Sequence, residues 1–127
     1  MEESLMYRSA MQVFVKGSDK ALAFYQNVFD AKVLCSYPDS DGTLMHSELD
    51  VYGQIMMISE LIEENAVTGN TMMFCLHFGE GKEAIVQRIY DLLKDEAKII
   101  SPLGPCGYSP LEADLIDKFG VRWCVFV

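Results

Sequence analysis

The sequence predicts a single α+β domain built from two βαβββ modules, and three observations support that prediction. The apolar face of a helix near residues 21–29 returns 64 positions later, as Ala21 with Ile85, Tyr25 with Ile89, Val28 with Leu92 and Phe29 with Leu93. A turn segment, Leu49-Asp50-Val51-Tyr52-Gly53, returns as Ile116-Asp117-Lys118-Phe119-Gly120 at a spacing of 117 minus 50, or 67. Around both, short apolar runs are punctuated by glycine, proline and aspartate, as strands and their turns are. Two windows that recur in the same order point to an internal duplication, with loop length accounting for the difference in spacing. One helix covers one face of a four-stranded sheet, so the remaining faces are expected to curl into a mixed-sheet cup or to pair with another chain.

The elements follow in order. Met11 to Val15 reads as a strand, and Lys16-Gly17-Ser18-Asp19 ends it, with Ser18 a candidate N-cap and Asp19 favourable at the positive end of the next helix. Ala21, Leu22, Tyr25, Val28 and Phe29 have the three-and-four spacing of one buried helical face. Val33 to Tyr37 is extended, Pro38 to Gly42 is rich in turn formers, and Thr43 to Leu49 is the returning strand. Ile55 to Ser59 completes a first module over about 9–59. Residues 60–70 read as a linker with room for a helical turn. The second module, about 71–127, offers a strand from Met72 to Phe78 and a helix from Glu80 to Lys94. Ile99 to Leu103 is a strand ended by Pro102-Leu103-Gly104-Pro105, and the strands Leu111 to Ile116 and Val121 to Val127 close the chain.

Composition removes several function classes. Nineteen acidic residues against ten basic ones leave a net charge of −9 in 127 residues, so a phosphate backbone is repelled and nucleic acid is not an expected partner. No apolar run approaches a bilayer span, and Met1-Glu2-Glu3-Ser4 is acidic where a secretory leader is basic, so a cytoplasmic location and no membrane partner are expected. Cys35, Cys75, Cys106 and Cys124 form no C-x-x-C pair, which argues against a zinc knuckle or a thioredoxin-like site and for reduced thiols.

Three segments resemble a known family. Ala23-Phe24-Tyr25-Gln26-Asn27-Val28-Phe29, Met45-His46-Ser47-Glu48-Leu49 before Gly53, and Asp117-Lys118-Phe119-Gly120-Val121-Arg122-Trp123 are similar to the PhnB-like branch of the vicinal oxygen chelate superfamily, the fold of glyoxalase, bleomycin-resistance proteins and dihydroxybiphenyl dioxygenase. The resemblance runs from about Ser9 to the C-terminus and implies paired βαβββ modules. It also implies, for catalytic members, a divalent metal held by His or Glu from the first and last strands of each module. Here those positions fall near Ala10 to Gln12, at Met57, at Phe74 or Leu76 before His77, and at Cys124. Thioether, aliphatic and thiol groups do not supply the oxygen and imidazole donors of a hard cation, so neither a metal nor any other cofactor is expected.

The candidate ligand-binding residues are Gln12, Phe14, His46, Glu48, Met57, His77, Tyr108, Trp123 and Cys124. His46 and His77 read either as polar groups lining the cup or as structural strand histidines. Glu48, two residues from His46, shares its strand face, as a functional pair or a surface salt bridge. Trp123 and Tyr108 read as an aromatic wall or as core, and the methionines as adaptable cup lining or plain filler. Gly79-Glu80-Gly81-Lys82-Glu83-Ala84 mimics a dinucleotide fingerprint but lacks the alternating parallel strands that motif requires. Cys124 beside a histidine would be a nucleophile only with an orienting third group.

The leading expectation is a metal-independent protein that binds a small organic molecule, in the manner the resemblance implies for drug-sequestering members. The alternatives are a metal-dependent lyase, isomerase or dioxygenase of the same fold, and an interaction module whose cup its own side chains fill. A homodimer is expected, because pairing would cover edge strands.

Overall fold

The computed structural model describes residues 5–127, so the acidic opening Met1-Glu2-Glu3-Ser4 lies outside the described residues. The chain forms two compact units, Met1–Glu64 and Asn65–Val127. The first contains β1 (Met11–Val15), α1 (Ser18–Phe29), β2 (Lys32–Pro38), β3 (Leu44–Val51) and β4 (Gln54–Glu60). The second contains β5 (Phe74–His77), α2 (Glu83–Leu93), β6 (Lys98–Cys106), β7 (Ser109–Ile116) and β8 (Arg122–Phe126). Each is a βαβββ module with its own four-stranded mixed sheet, ordered β1-β4-β3-β2 and β5-β8-β7-β6. The first strand of each pairs parallel with the last, and the remaining pairs are antiparallel.

Strand alternation sorts the first sheet into two faces. Val13, Val15, Leu49, Val51, Met56 and Ile58 are buried, and the buried Ala21, Tyr25, Val28 and Phe29 of α1 are the helical face that covers them. In the second sheet Ala113, Leu115, Trp123 and Val125 are buried, and α2 supplies Val86, Ile89 and Leu93. The repeat's helical pairing therefore holds at Ile89 and Leu93, whereas Val86 is fully buried in place of the expected Ile85. The repeated turns also share a physical cause. Gly53 and Gly120 have φ of 90° and 86°, where a Cβ is strained. The aspartate three residues earlier anchors each turn: Asp50 Oδ1 accepts from Gly53 N at 2.7 Å, and Asp117 Oδ1 accepts from Phe119 N at 2.9 Å and Val121 N at 3.1 Å.

Three expectations are corrected. Ser18 is not the N-cap of α1. That position belongs to Gly17, at φ 76°, and Ser18 is the first helical residue with its hydroxyl directed elsewhere. Glu60 is not linker but the last residue of β4, and its carboxylate takes up the helix's first amides, Gly17 N at 3.2 Å and Ser18 N at 2.9 Å. The Pro102-Leu103-Gly104-Pro105 segment does not end β6, which runs on to Cys106 through register shifts on either side of Gly104. β6 is an outer strand of its sheet, where a proline's missing N–H need not cost a ladder bond.

Candidate functional site

Five of the nine candidate residues lie on one face of the first sheet, the face away from α1. Register explains why. His46 and Glu48 are two apart on β3, Glu48 pairs with Met57 on β4, and Met57 pairs with Gln12 on β1, with Phe14 two residues further along beside Ser59. From the other side, β2 sets Cys35 opposite Glu48 and Tyr37 opposite His46.

Glu48 is the centre of this face. It is only 8 % exposed, and a carboxylate so placed needs charged partners. Arg8 forks onto it, Nη1 to Oε1 at 2.8 Å and Nη2 to Oε2 at 3.2 Å, and His46 Nε2 lies 2.8 Å from Oε2. Hydrogen bonds from Arg8 and then His46 outweigh desolvation and lower the Glu48 pKa from 4.5 to about 2. The His–Glu pair is therefore real and anchored by an arginine. Nothing in the stretch before β1 marked Arg8, which is 40 residues away from its partner. Tyr37 stacks on His46, their rings 6.3 Å apart and 24° from parallel. Cys35 Sγ, a His46 ring nitrogen and a Glu48 oxygen all lie within 4.8 Å of one another. Burial, reinforced by Glu48, raises the Cys35 thiol pKa.

At the end of the sheet, beside Phe14, a cleft of about 450 Å³ opens, in the size range of small-molecule sites. Phe14, Met45, Leu61 and Ile62 are its apolar lining residues, and Asp39, Asp41 and Glu63 are acidic ones, while the carboxylate of Glu60, which also lines it, is taken up by the start of α1. Phe14 is 60 % exposed, which leaves a ring face available. Only Phe14 among the candidates reaches this cleft. Its acidic groups come from the β2–β3 turn and from the end of β4 onward, where the sequence reads as ordinary turn and linker.

The second module separates its candidates. Trp123 is fully buried, packs on Phe74 with rings 5.4 Å apart, and donates Nε1–H to Asp117 Oδ2 at 2.9 Å. It is a core residue and not part of a ligand wall, because its position in β8 turns it to the helix side. Cys124, next along the strand, faces the other way. Tyr108 donates its hydroxyl to Glu112 Oε2 at 2.9 Å and lies 3.7 Å from Cys124 Sγ, which in turn lies 3.8 Å from Glu112 Oε2. These contacts raise the Tyr108 pKa strongly, with Cys124 the largest cause. Burial raises the Cys124 pKa from 9.0 to about 11, so the thiol stays protonated at neutral pH and the nucleophile reading loses its thiolate. His77 is exposed and stacks on Phe126, 4.4 Å between centroids and 13° from parallel.

Comparison with known proteins decides the family. A model of the Glyoxalase/Bleomycin resistance protein/Dioxygenase superfamily matches residues 9–125. The chain belongs to this superfamily. Among curated protein sequences none matches. Solved structures share the fold at low identity. The PhnB protein from Bacillus cereus, provisionally described as a 3-demethylubiquinone-9 3-methyltransferase, has TM-score 0.82 and 21% identity over 94% of this chain and 98% of its own. PA1353 from Pseudomonas aeruginosa has TM-score 0.81 and 19% identity over 95% and 97%. The fosfomycin resistance protein FosX from Listeria monocytogenes has TM-score 0.72 and 16% identity over 97% and 94%. A point mutant of FosX has also been solved with Mn(II) and 1S,2S-dihydroxypropylphosphonic acid.

The metal positions that superfamily membership implies do not fit a hard cation here. In the first module Gln12 and Met57 are register partners, an amide and a thioether, and Gln12 spends its Nε2 on Val13 O at 3.0 Å and Ser59 Oγ at 3.3 Å. In the second, register sets Cys75, and not the expected Phe74 or Leu76, beside Cys124, whose thiol stays protonated. Between them these four residues offer one neutral amide oxygen, of Gln12, and no carboxylate or imidazole, short of the several oxygen and imidazole donors that magnesium or manganese requires.

Proposed function

We propose that this superfamily member binds a small organic molecule in the cleft of its first module, without a metal at the inherited strand positions, and that the ligand carries a positive charge on an apolar body. The observation behind the reading is the lining itself. An exposed aromatic ring and three acidic residues not committed to α1, Asp39, Asp41 and Glu63, line one concavity of about 450 Å³. Apolar burial provides affinity in such sites and a few placed polar groups provide orientation. A cation is favoured twice, by the acidic rim and by the face of Phe14. Gln12, His46, Glu48 and Met57 continue the same sheet face and would meet a larger ligand. The protein would act as a homodimer, with outer strands of its two sheets covered by pairing.

A thermal-shift panel of matched aromatic amines and aromatic carboxylates tests this, because a ligand that binds only the folded state raises the melting temperature. Amines should stabilise and carboxylates should not. Phe14→Ala should weaken the best amine by at least about tenfold, and Glu63→Gln should weaken it less. Equal response to both panels, or an unchanged affinity in Phe14→Ala, would remove the reading.

A further inference from the structure

The first module holds a donor set that neither the superfamily's inherited positions nor the cleft uses. The geometry points to a soft transition-metal site at Cys35, His46 and Glu48, suited to Zn²⁺ and placed on the middle of the βαβββ unit rather than on its first and last strands. The three donors come from two adjacent strands. Cys35 on β2 is the cross-strand partner of Glu48 on β3, and His46 is two residues along β3 on the same face. Their candidate ligand atoms lie within 4.8 Å of one another. In a tetrahedral zinc site, bond lengths of about 2.0–2.3 Å place ligand atoms roughly 3.3–3.6 Å apart. The cluster thus needs adjustments on the order of an ångström, within reach of side-chain rotation.

The chemistry also selects the metal class. One thiolate, one imidazole and one carboxylate form a borderline-soft set that favours zinc over magnesium or calcium. Three protein ligands leave the fourth position to water, and the side chains of His46 and Glu48 are 33 % and 10 % exposed, so the site is open on one side. Arg8 holds the Glu48 carboxylate through both oxygens, Nη1 on Oε1 at 2.8 Å and Nη2 on Oε2 at 3.2 Å, so metal binding through Oε2 gives up the longer bond and keeps the one to Oε1 as an outer partner. On binding, the Cys35 thiol gives its proton to solvent, and His46 gives up its Nε2–H bond to Glu48 and carries its ring proton on Nδ1, which frees the Nε2 lone pair. Thiolate and carboxylate offset the doubly charged ion, and with the Arg8 guanidinium on Glu48 the cluster carries one net positive charge.

The test uses the full chain with Co²⁺ alone as probe, followed by Zn²⁺ competition. The expected result is saturation at one equivalent, tetrahedral d–d bands in the visible, a sulfur-to-cobalt charge-transfer band in the near ultraviolet, and loss of both when Zn²⁺ is added. Cys35→Ser should abolish the charge-transfer band, whereas Cys75→Ser and Cys106→Ser leave it intact. His46→Gln should weaken binding at least about tenfold while the sulfur band survives at saturation. Should Cys35→Ser fail to fold by circular dichroism, Cys35→Ala and His46→Gln answer the same question. Absence of a saturable one-to-one signal, or a charge-transfer band that persists without Cys35, overturns the site. Phe14→Ala should leave the cobalt spectrum unchanged, so the outcome is separate from that of the amine panel.

Discussion

Removing the Glu60 carboxylate should destabilise the protein by about 2–3 kcal/mol, although sequence alone places this residue in a loop. The figure follows from what the carboxylate holds. It accepts from Gly17 N at 3.2 Å, from Ser18 N at 2.9 Å and from the Ser18 hydroxyl at 2.8 Å, and so caps α1 from across the sheet. Loss of a capping side chain costs about 1 kcal/mol, and loss of a negative charge at the positive helix end a further ~0.3–1 kcal/mol. The remainder comes from the Ser18 hydroxyl, which is fully buried and also accepts from Leu44 N at 2.8 Å, so its hydrogen bonding is disturbed as well. For a chain of this size that corresponds to roughly 10 °C in melting temperature for Glu60→Ala. Glu60→Gln, which keeps an acceptor but not the charge, should lose about 1 kcal/mol. Urea denaturation followed by far-ultraviolet circular dichroism gives both values. In a double-mutant cycle with Ser18→Ala the two changes should couple by about 1 kcal/mol. A loss under about 0.5 kcal/mol for Glu60→Ala, or strict additivity with Ser18→Ala, would refute the cap.

Three other outcomes follow from the same geometry. Glu48 has its proton affinity depressed on folding, from 4.5 to about 2, so the unfolded chain takes up the proton first; its stabilisation is complete above about pH 4.5 and is lost as pH falls toward 2. Acid titration of stability should therefore be flatter in this range for Glu48→Gln than for the wild type, and parallel curves would contradict the Arg8–Glu48–His46 arrangement. Cys124, with its pKa raised from 9.0 to about 11 and 2 % exposure, should alkylate at pH 8 at least about 100-fold more slowly than the exposed Cys75, as peptide mass spectrometry of iodoacetamide-treated protein can establish. Asp117 accepts from two turn amides and from the single tryptophan, so Asp117→Ala should cost about 2–3 kcal/mol, read from denaturation followed by the emission of Trp123; a loss below about 0.5 kcal/mol would show that these bonds are not what hold the turn.

Much of the fold was legible because its causes are local. The helix faces at Tyr25 and Ile89 and at Phe29 and Leu93 follow from a period of 3.6, and the turns at Gly53 and Gly120 follow from a backbone conformation that glycine adopts without strain. The shared face of Gln12, Phe14, His46, Glu48 and Met57 was partly legible for the same reason, since alternation places every second residue together. The cleft was not. Its carboxylates lie in the β2–β3 turn and beyond the end of β4, in segments with no periodicity to read.

The sequence by itself determined the duplication, the order of elements and the pairing of residues along each strand face, because those depend on neighbours within a few positions. Only the tertiary structure decided that Arg8 reaches Glu48, that Glu60 caps α1, and that Trp123 faces α2 while Cys124, also buried, faces the other side of its sheet. Those outcomes depend on strand register, which brings residues about 40 positions apart within hydrogen-bonding distance. In β8, where both Trp123 and Cys124 are apolar enough to bury, alternation states that the two faces differ, and the position of the helix settles which of them is the core.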